Sequence, residues 1–180
     1  MNITIKKLEY VDIEDLYEFE LKNRAYFEKM VPSRGNEYYH FETFKVKNEN
    51  LLEEQVQKLS YFYLIKNENG LIVGRINLVD IDKNQELGHI GYRVGGDHIG
   101  RGIANKALKL LLTEMSNLGI KQIEAKTTTN NIASQKILEK NGFKYIGTSD
   151  EEFEMNGQDL KFVYYRWVDS NKNDVIFKTI

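Results

Sequence analysis

The chain has 180 residues, 41% of them hydrophobic, which suits the core of one domain better than two. Its formal net charge of −2 argues against a dedicated nucleic-acid-binding protein, and the absence of cysteine excludes disulfides, thiolate metal sites and cysteine nucleophiles. Because neither a signal peptide nor a membrane-spanning stretch is recognisable, we expect a cytoplasmic protein that does not associate with membranes. We also expect no bound metal.

The start of the chain predicts a strand and a helix. Ile3 and Ile5 alternate with polar residues, as in a short strand. Asp12 and Asp15 have the spacing of a capping box for a first helix. We expect this helix to end near Met30, because the chain's one proline follows and disfavours helix in the residue before it.

A second helix is expected within residues 36–60. Aliphatic residues there are spaced as one helical face: Leu51, Leu52, Val56 and Leu59. The aromatic run at 38–41 precedes them without a clear pattern. We favour the interpretation that these rings cover the core, and the alternative is that they form a wall of a substrate site.

Residues 61–94 predict an antiparallel meander of three strands. An Asn-Gly pair closes the polar segment 67–70 between strand-like runs at 61–65 and 71–79, which is typical of a hairpin. A third run follows at 86–94 after a polar turn.

The second half predicts strands alternating with helices. An apolar helical stripe begins at Ile103, and Gly119 stands where a left-handed C-cap belongs. The strand expected at 120–127 follows the strand at 86–94 through this helix, so these two strands should be parallel. The remaining expected elements are a helix at 132–140 and strands at 143–146 and 160–168, joined through a turn at Asn156-Gly157.

A glycine-rich segment at residues 95–102, the glycine loop, joins the strand at 86–94 to the helix from Ile103. A helix start leaves backbone N–H groups without partners and favours negative charge, and glycine lets a phosphate approach the main chain. The segment matches neither the nucleoside-triphosphate loop nor the dinucleotide fingerprint. We interpret it as a diphosphate-binding loop; the alternative is that its glycines only turn the chain into the helix.

Two segments together carry a family resemblance: Ile99-Gly100-Arg101-Gly102-Ile103-Ala104, and residues 131–143, which read Asn-Ile-Ala-Ser-Gln-Lys-Ile-Leu-Glu-Lys-Asn-Gly-Phe. The pair resembles the GNAT acetyltransferase superfamily, whose acetyl-CoA loop reads Gln/Arg-x-x-Gly-x-Gly/Ala and whose later helix reads Asn-x-x-Ser/Ala followed by Glu-Lys-x-Gly-Phe. The Ile90-Gly91-Tyr92 strand, and Asn131 with Ser134, are most similar to the Rim-type branch, which acetylates ribosomal proteins and small amines. The resemblance is specific between roughly residues 86 and 143.

The resemblance implies an α/β (α+β) fold of the GNAT acyl-CoA N-acyltransferase type. It would contain a mixed, mostly antiparallel sheet of about seven strands, with a parallel pair formed by the fourth and fifth, and about four helices. Residues 1–169 would form a single GNAT domain and residues 170–180 a C-terminal tail.

The resemblance also implies the residues that bind acetyl-CoA, the acetyl donor. Backbone N–H groups of residues 100–104 would hold the diphosphate, and the main chain at 92–94 would bind the pantetheine arm and point an N–H at the thioester carbonyl. Asn131 would hydrogen-bond the cofactor arm. The expected cofactor-binding residues are Tyr92, Arg93, Val94, Ile99, Gly100, Arg101, Gly102, Ile103, Ala104, Asn131 and Ser134.

Two positions depart from the family pattern. Ile99 stands where Gln or Arg is usual, so one contact to the diphosphate must come from the backbone or from a neighbour such as Arg101. Leu138 replaces the tyrosine that many members use as general acid. In the Rim-type branch a serine at the position of Ser134 is thought to fill that role, so Ser134 is the expected acid.

The general base is less well determined. A primary ammonium has a pKa of about 10, so a side chain or a chain of waters must accept its proton at neutral pH. The candidates are His89, Glu86 and the acidic run at residues 150–154, and the solvated alternative is favoured for that run.

The resulting hypothesis is an acetyl-CoA-dependent N-acetyltransferase that acts on a protein N-terminus or a small amine, with no nucleic acid as direct ligand. A second hypothesis is a non-catalytic CoA-binding module of the same fold, and a third is a structural protein that binds no CoA. The acceptor and the oligomeric state stay open.

Overall fold

The computed structural model describes residues 1–169, apart from the side chain of residue 116. The predicted tail at 170–180 lies outside the described residues. The helices are α1 (Ile13–Met30), α2 (Phe41–Val56), α3 (Ile103–Asn117) and α4 (Ile132–Lys140). The strands are β1 (Ile3–Lys7), β2 (Tyr61–Asn67), β3 (Ile72–Asp82), β4 (Leu87–Val94), β5 (Gln122–Thr128), β6 (Lys144–Thr148), β7 (Phe153–Met155), β8 (Gln158–Leu160) and β9 (Phe162–Val168).

Seven strands form one sheet in the order β1-β2-β3-β4-β5-β9-β6, and β7 and β8 form a separate two-stranded ribbon. Every pair in the sheet is antiparallel except β4 with β5, whose register runs from Leu87 opposite Gln122 to Ile90 opposite Ala125. Helix α3 connects these two parallel strands. The predicted mixed sheet with its parallel pair and four helices is therefore confirmed.

Two hydrophobic clusters cover the two faces of the sheet. Tyr63 and Ile65 of β2 belong to the cluster that includes α3 residues, whereas Phe62 and Leu64 belong to the cluster that includes α1 residues. This alternation follows from the period of two along a strand. Because β2 is covered on both faces, it reads as a continuous apolar run rather than as alternating polar and apolar residues. No helix in the described part of the chain is long and apolar enough to cross a bilayer.

The prediction for α2 was correct in type and correct for half of its buried face, because Leu51 and Leu52 pack against the cluster on the α1 side. Val56 is 81% exposed and Leu59 44% exposed, whereas Phe44 is fully buried. Tyr38 and Tyr39 are also buried and edge-pack with each other, and Tyr38 packs on Phe44. The interpretation of the aromatic run as core is confirmed for these two rings.

Two local predictions were wrong, one because of a side-chain partner and one because of the strand topology. The Asp12 carboxylate accepts hydrogen bonds from the Glu9 backbone N–H and from Lys66 Nζ, at 3.0 and 2.7 Å, so it does not form the predicted capping box with Asp15. The turn at Asn156-Gly157 closes the β7–β8 ribbon instead of joining the last two strands of the main sheet directly.

Candidate active site

The parallel strands β4 and β5 separate at one end of the sheet. Their pairing stops at Ile90 and Ala125, although β4 continues to Val94 and stays paired with β3 on its other side. The edge of β4 that faces β5 is therefore free of strand pairing over its last four residues. A cavity of about 620 Å³ occupies this opening, between the end of α1, the end of β4, the start of α3 and the first turns of α4.

Most of the cofactor-binding residues predicted from the sequence meet in this cavity. Those in its wall are Tyr92, Arg93, Val94, Ile99, Gly100, Gly102, Ile103, Ala104, Asn131 and Ser134. Arg101 is exposed and lies outside the wall. Side chains that sequence reasoning did not single out also contribute, among them Tyr26 and Phe27 of α1 and His98 of the glycine loop.

The glycine loop presents open main chain to the cavity. Gly100 and Gly102 both have φ near +73°, and a Cβ placed on either would meet no atom within 4 Å. Their N–H groups and that of Ile103 donate no backbone hydrogen bond within the described residues. Free N–H groups beside open space at the start of a helix suit a diphosphate.

Neighbouring elements hold the loop in place. The Gly96 N–H donates to Asn23 Oδ1 of α1 at 2.9 Å, and Asn23 Nδ2 in turn donates to the Phe19 carbonyl. On the other side, Asn141 Nδ2 at the end of α4 donates to Asn105 Oδ1 in the first turn of α3, at 2.9 Å. The loop is thus fixed to the two helices that flank the cavity.

Helix α4 brings a serine hydroxyl to a tyrosine hydroxyl. Asn131 Oδ1 caps the helix by accepting from the Ser134 N–H at 3.1 Å. Ser134 Oγ lies 2.9 Å from the Tyr92 hydroxyl, within hydrogen-bonding distance. Burial raises the pKa of Tyr92 to about 12, partly opposed by this hydrogen bond, so Tyr92 stays a neutral phenol at physiological pH.

Sequence reasoning assigned Tyr92 a role through its main chain only. The alternation along β4 contained the missing signal, because Tyr92 follows Ile90 by two residues and Ile90 belongs to the α3-side cluster. A side chain on that face, just past the last paired residue, points toward α3 and α4. The Asn131 amide was assigned to the cofactor arm, and the structure shows it capping α4 with its oxygen at the edge of the same cavity.

The structure does not bring the predicted bases to the cavity. His89 lies 3.4 Å from Glu124, on the opposite face of β4 from Tyr92, and its side chain is 46% exposed. Glu86 precedes the first residue of β4, at the far end from the cavity, and pairs with Lys121 Nζ at 2.6 Å. The acidic run at 150–154 is largely exposed and contributes no residue to the cavity wall.

A buried charge cluster that the sequence did not reveal lies against the α1 side of the cavity. Glu20 of α1 is fully buried, and its Oε1 accepts from Arg75 Nη1 of β3 at 3.1 Å and from Arg93 Nη2 of β4. The guanidinium of Arg93 also stacks on Phe27, 4.6 Å from the ring centroid. The available signal was the spacing of Glu20, which falls in register with buried Leu16 and Phe27 on one face of α1.

Comparison with known proteins gives the family. A family model described as an acetyltransferase (GNAT) domain matches residues 2–144. The probable N-acetyltransferase YjcK of Bacillus subtilis is 27% identical over 159 residues, which cover 86% of this chain and 87% of that protein. The chain therefore belongs to the GNAT acetyltransferase family.

Solved structures agree on the fold. The ribosomal-protein-S5-alanine acetyltransferase of Vibrio fischeri superposes with a TM-score of 0.87 over 95% of both chains, at 20% sequence identity. Mycobacterium smegmatis RimJ, determined in complex with CoA-disulfide, superposes with a TM-score of 0.83 over 95% of this chain and 84% of its own, at 19% identity. These likenesses confirm the GNAT fold.

Proposed function

We propose that this chain transfers an acetyl group from acetyl-CoA directly to an amine, either the N-terminal α-amine of a protein, such as a ribosomal protein, or a small amine. One observation carries the proposal: the opening between β4 and β5 joins the free N–H groups of the glycine loop to the Ser134 and Tyr92 hydroxyls in a single cavity. A phosphate-binding end and a proton-donating end are what a thioester donor with a diphosphate requires.

The residues present fit such a donor. Gly100 and Gly102 keep the space before the loop clear of side chains, so the N–H groups of residues 100–104 can reach a diphosphate. The unpaired edge of β4 at 92–94 offers main-chain groups to an extended, amide-containing arm, as a neighbouring strand would. The donor itself supplies the activated acetyl group.

Ser134 and Tyr92 are proposed to act as a unit. In this unit the phenol of Tyr92, neutral because burial raises its pKa to about 12, would be the donor to Ser134 Oγ. The Ser134 proton is then free to be directed at the departing thiolate. Ser134 is the general acid in this proposal, and Tyr92 is the positioning residue that fixes the direction of its O–H bond.

The wall of the cavity contains no carboxylate among the described residues, which bears on the acceptor. An α-amine, with a pKa of about 7.7–8.0, is roughly a tenth neutral at pH 7, whereas an alkylamine with a pKa of about 10.4 is almost entirely protonated. An enzyme that relies on water to accept the proton is therefore better served by an α-amine. This argument favours a peptide N-terminus over a simple alkylamine.

The test is to incubate the protein with acetyl-CoA and a panel of peptides, ribosomal proteins and small amines, and to follow free thiol release. Release above the blank rate with an α-amine is the expected result. If calorimetry shows that acetyl-CoA binds but no acceptor causes thiol release, the proposed enzymatic activity is contradicted and the second candidate, a non-catalytic CoA-binding module, is favoured. The absence of a carboxylate from the described cavity wall also favours that candidate. Absence of binding would contradict both.

A further inference from the structure

Arg93, in the cavity wall next to Phe27 of α1, belongs to a cluster with more positive than negative charge. Arg75 and Arg93 share one buried carboxylate, that of Glu20, and Arg34, which binds the Tyr38 hydroxyl, repels Arg93 as Arg75 does. Glu20 uses Oε1 for both Arg75 and Arg93, and Arg34 forms no salt bridge within the described residues. The neighbouring Arg24 differs, since Glu28 neutralises it at 3.0 Å.

Arg34 and Arg93 both keep hydrogen-bond donors free. A guanidinium has five N–H donors. Within the described residues Arg93 uses one of them, to Glu20, and Arg34 uses one, to the Tyr38 hydroxyl at 2.5 Å. Arg34 also stacks on the Tyr38 ring, 4.7 Å from its centroid, which holds its guanidinium against the cluster. Free donors in a fixed plane suit a carboxylate, which guanidiniums bind through paired hydrogen bonds.

The environment makes this excess charge costly without an anion. The side chain of Arg93 is 14% exposed. Burial lowers the pKa of Arg93 to about 10; Glu20 opposes that effect, and repulsion from Arg34 and Arg75 adds to it. A bound anion would offset the repulsion, and Arg93 can meet one because it forms part of the cavity wall together with Phe27.

We propose that Arg93 in the cavity wall, together with the exposed Arg34 held on Tyr38, forms an anion subsite that binds a carboxylate carried by the amine acceptor. This inference rests on the proposed acetyl transfer and narrows its acceptor to an amine with a carboxylate close by. The carboxylate has two sources: an acidic side chain near a peptide N-terminus, or the α-carboxylate of a free amino acid or dipeptide. A cationic polyamine is disfavoured by the same charges.

The test compares matched acceptors with the intact protein and acetyl-CoA. The first pair is two C-terminally amidated peptides that start with Ala-Asp and Ala-Asn and are otherwise identical; the second is the dipeptide Ala-Ala with a free or an amidated C-terminus. A charge-assisted pair of hydrogen bonds is expected to raise kcat/KM about tenfold or more for the acidic member. The pair that shows the increase identifies the source, and equal kcat/KM in both pairs overturns the subsite.

Arg34→Gln is the informative variant because Arg34 is exposed and is not hydrogen-bonded to Glu20. It should bring the ratio of kcat/KM for the acidic acceptor to kcat/KM for the neutral acceptor close to one. Arg24→Gln is the matched control, since Arg24 stacks on the adjacent Tyr39 and is already neutralised, and it should keep the ratio. An unchanged ratio in Arg34→Gln overturns the assignment of Arg34.

A binding measurement separates this inference from the proposed function. If no acceptor releases thiol, acetyl transfer fails, and calorimetry with the N-acetylated forms of the acidic and neutral peptides still tests the subsite. Tighter binding of the acidic form, weakened in Arg34→Gln and kept in Arg24→Gln, supports it. Equal binding of the two forms overturns it.

Discussion

Glu20→Gln is expected to destabilise the protein by about 3–5 kcal/mol, the usual cost of removing one partner from a buried ion pair. Glu20 has no exposed surface, and its carboxylate is the counter-charge of Arg75 and Arg93. Glutamine keeps the volume of the side chain, so the loss comes from the charge and not from a cavity. For a domain of this size, that loss corresponds to a decrease in Tm of roughly 6–20 °C.

Thermal and urea unfolding followed by circular dichroism measure this change. Glu28→Gln is the control, because Glu28 also binds an arginine of α1 at 3.0 Å but its side chain is 31% exposed. A partly exposed ion pair contributes at most about 1 kcal/mol, so the control should unfold close to the parent protein. A Glu20→Gln protein whose free energy of unfolding stays within about 1 kcal/mol of the parent would refute the reasoning that the cluster is held by this carboxylate.

Three further predictions concern the cavity itself. Gly102 and Gly119 have φ of +73° and +76°, and a Cβ at either position would have open space. Gly102→Ala and Gly119→Ala should therefore each cost about 1–2 kcal/mol of stability, from backbone strain alone. Only Gly102→Ala should weaken acetyl-CoA binding in calorimetry, and equal affinities would argue against the glycine loop as a diphosphate site. Ser134→Ala should lower kcat at least about a hundredfold with little change in acetyl-CoA affinity. Tyr92→Phe should lower kcat about two- to tenfold, and it should cause no further decrease when combined with Ser134→Ala. Full activity of the Ser134→Ala protein would exclude Ser134 as the general acid. With an α-amine acceptor, kcat/KM should rise about tenfold per pH unit up to about pH 8, because the amine loses its proton over that range. It should then stay level to pH 10, because the phenol of Tyr92, with its pKa raised to about 12, remains protonated. A decrease in kcat/KM between pH 8 and 10 would contradict this role of Tyr92.

The elements around the cavity could be predicted from the sequence because residues next to their ends, such as glycines with positive φ, determine where they begin and end. Helices α3 and α4 end before Gly119 and Gly142, which have φ of +76° and +84° and so stop each helix in a conformation that glycine adopts at little cost. The glycine loop is predictable for the same reason, since Gly100 and Gly102 both need positive φ. Local rules of this kind do not depend on the rest of the fold.

The buried charge cluster could not be predicted in the same way, because it joins residues far apart in the chain. Glu20 is 55 residues from Arg75 and 73 from Arg93, and only the order β3-β4 in the sheet with α1 across it brings the three together. His89 shows the opposite case. Histidine is a common general base, but the alternation along β4 places His89 on the other face from Tyr92, next to Glu124.

That same alternation explains how the end of one strand serves two purposes. Beyond its last pairing with β5, β4 directs Tyr92 toward Ser134 on the α4 side and Arg93 toward Glu20 on the α1 side. The two side chains are adjacent in sequence and project to opposite faces of the sheet. Both residues line the cavity, because the cavity lies where β4 and β5 separate. If Tyr92 serves the leaving group and Arg93 the acceptor, Tyr92→Phe should change kcat equally for acidic and neutral acceptors. A Tyr92→Phe protein that instead loses its preference for the acidic acceptor would show that the two sides of the strand are not separate in function.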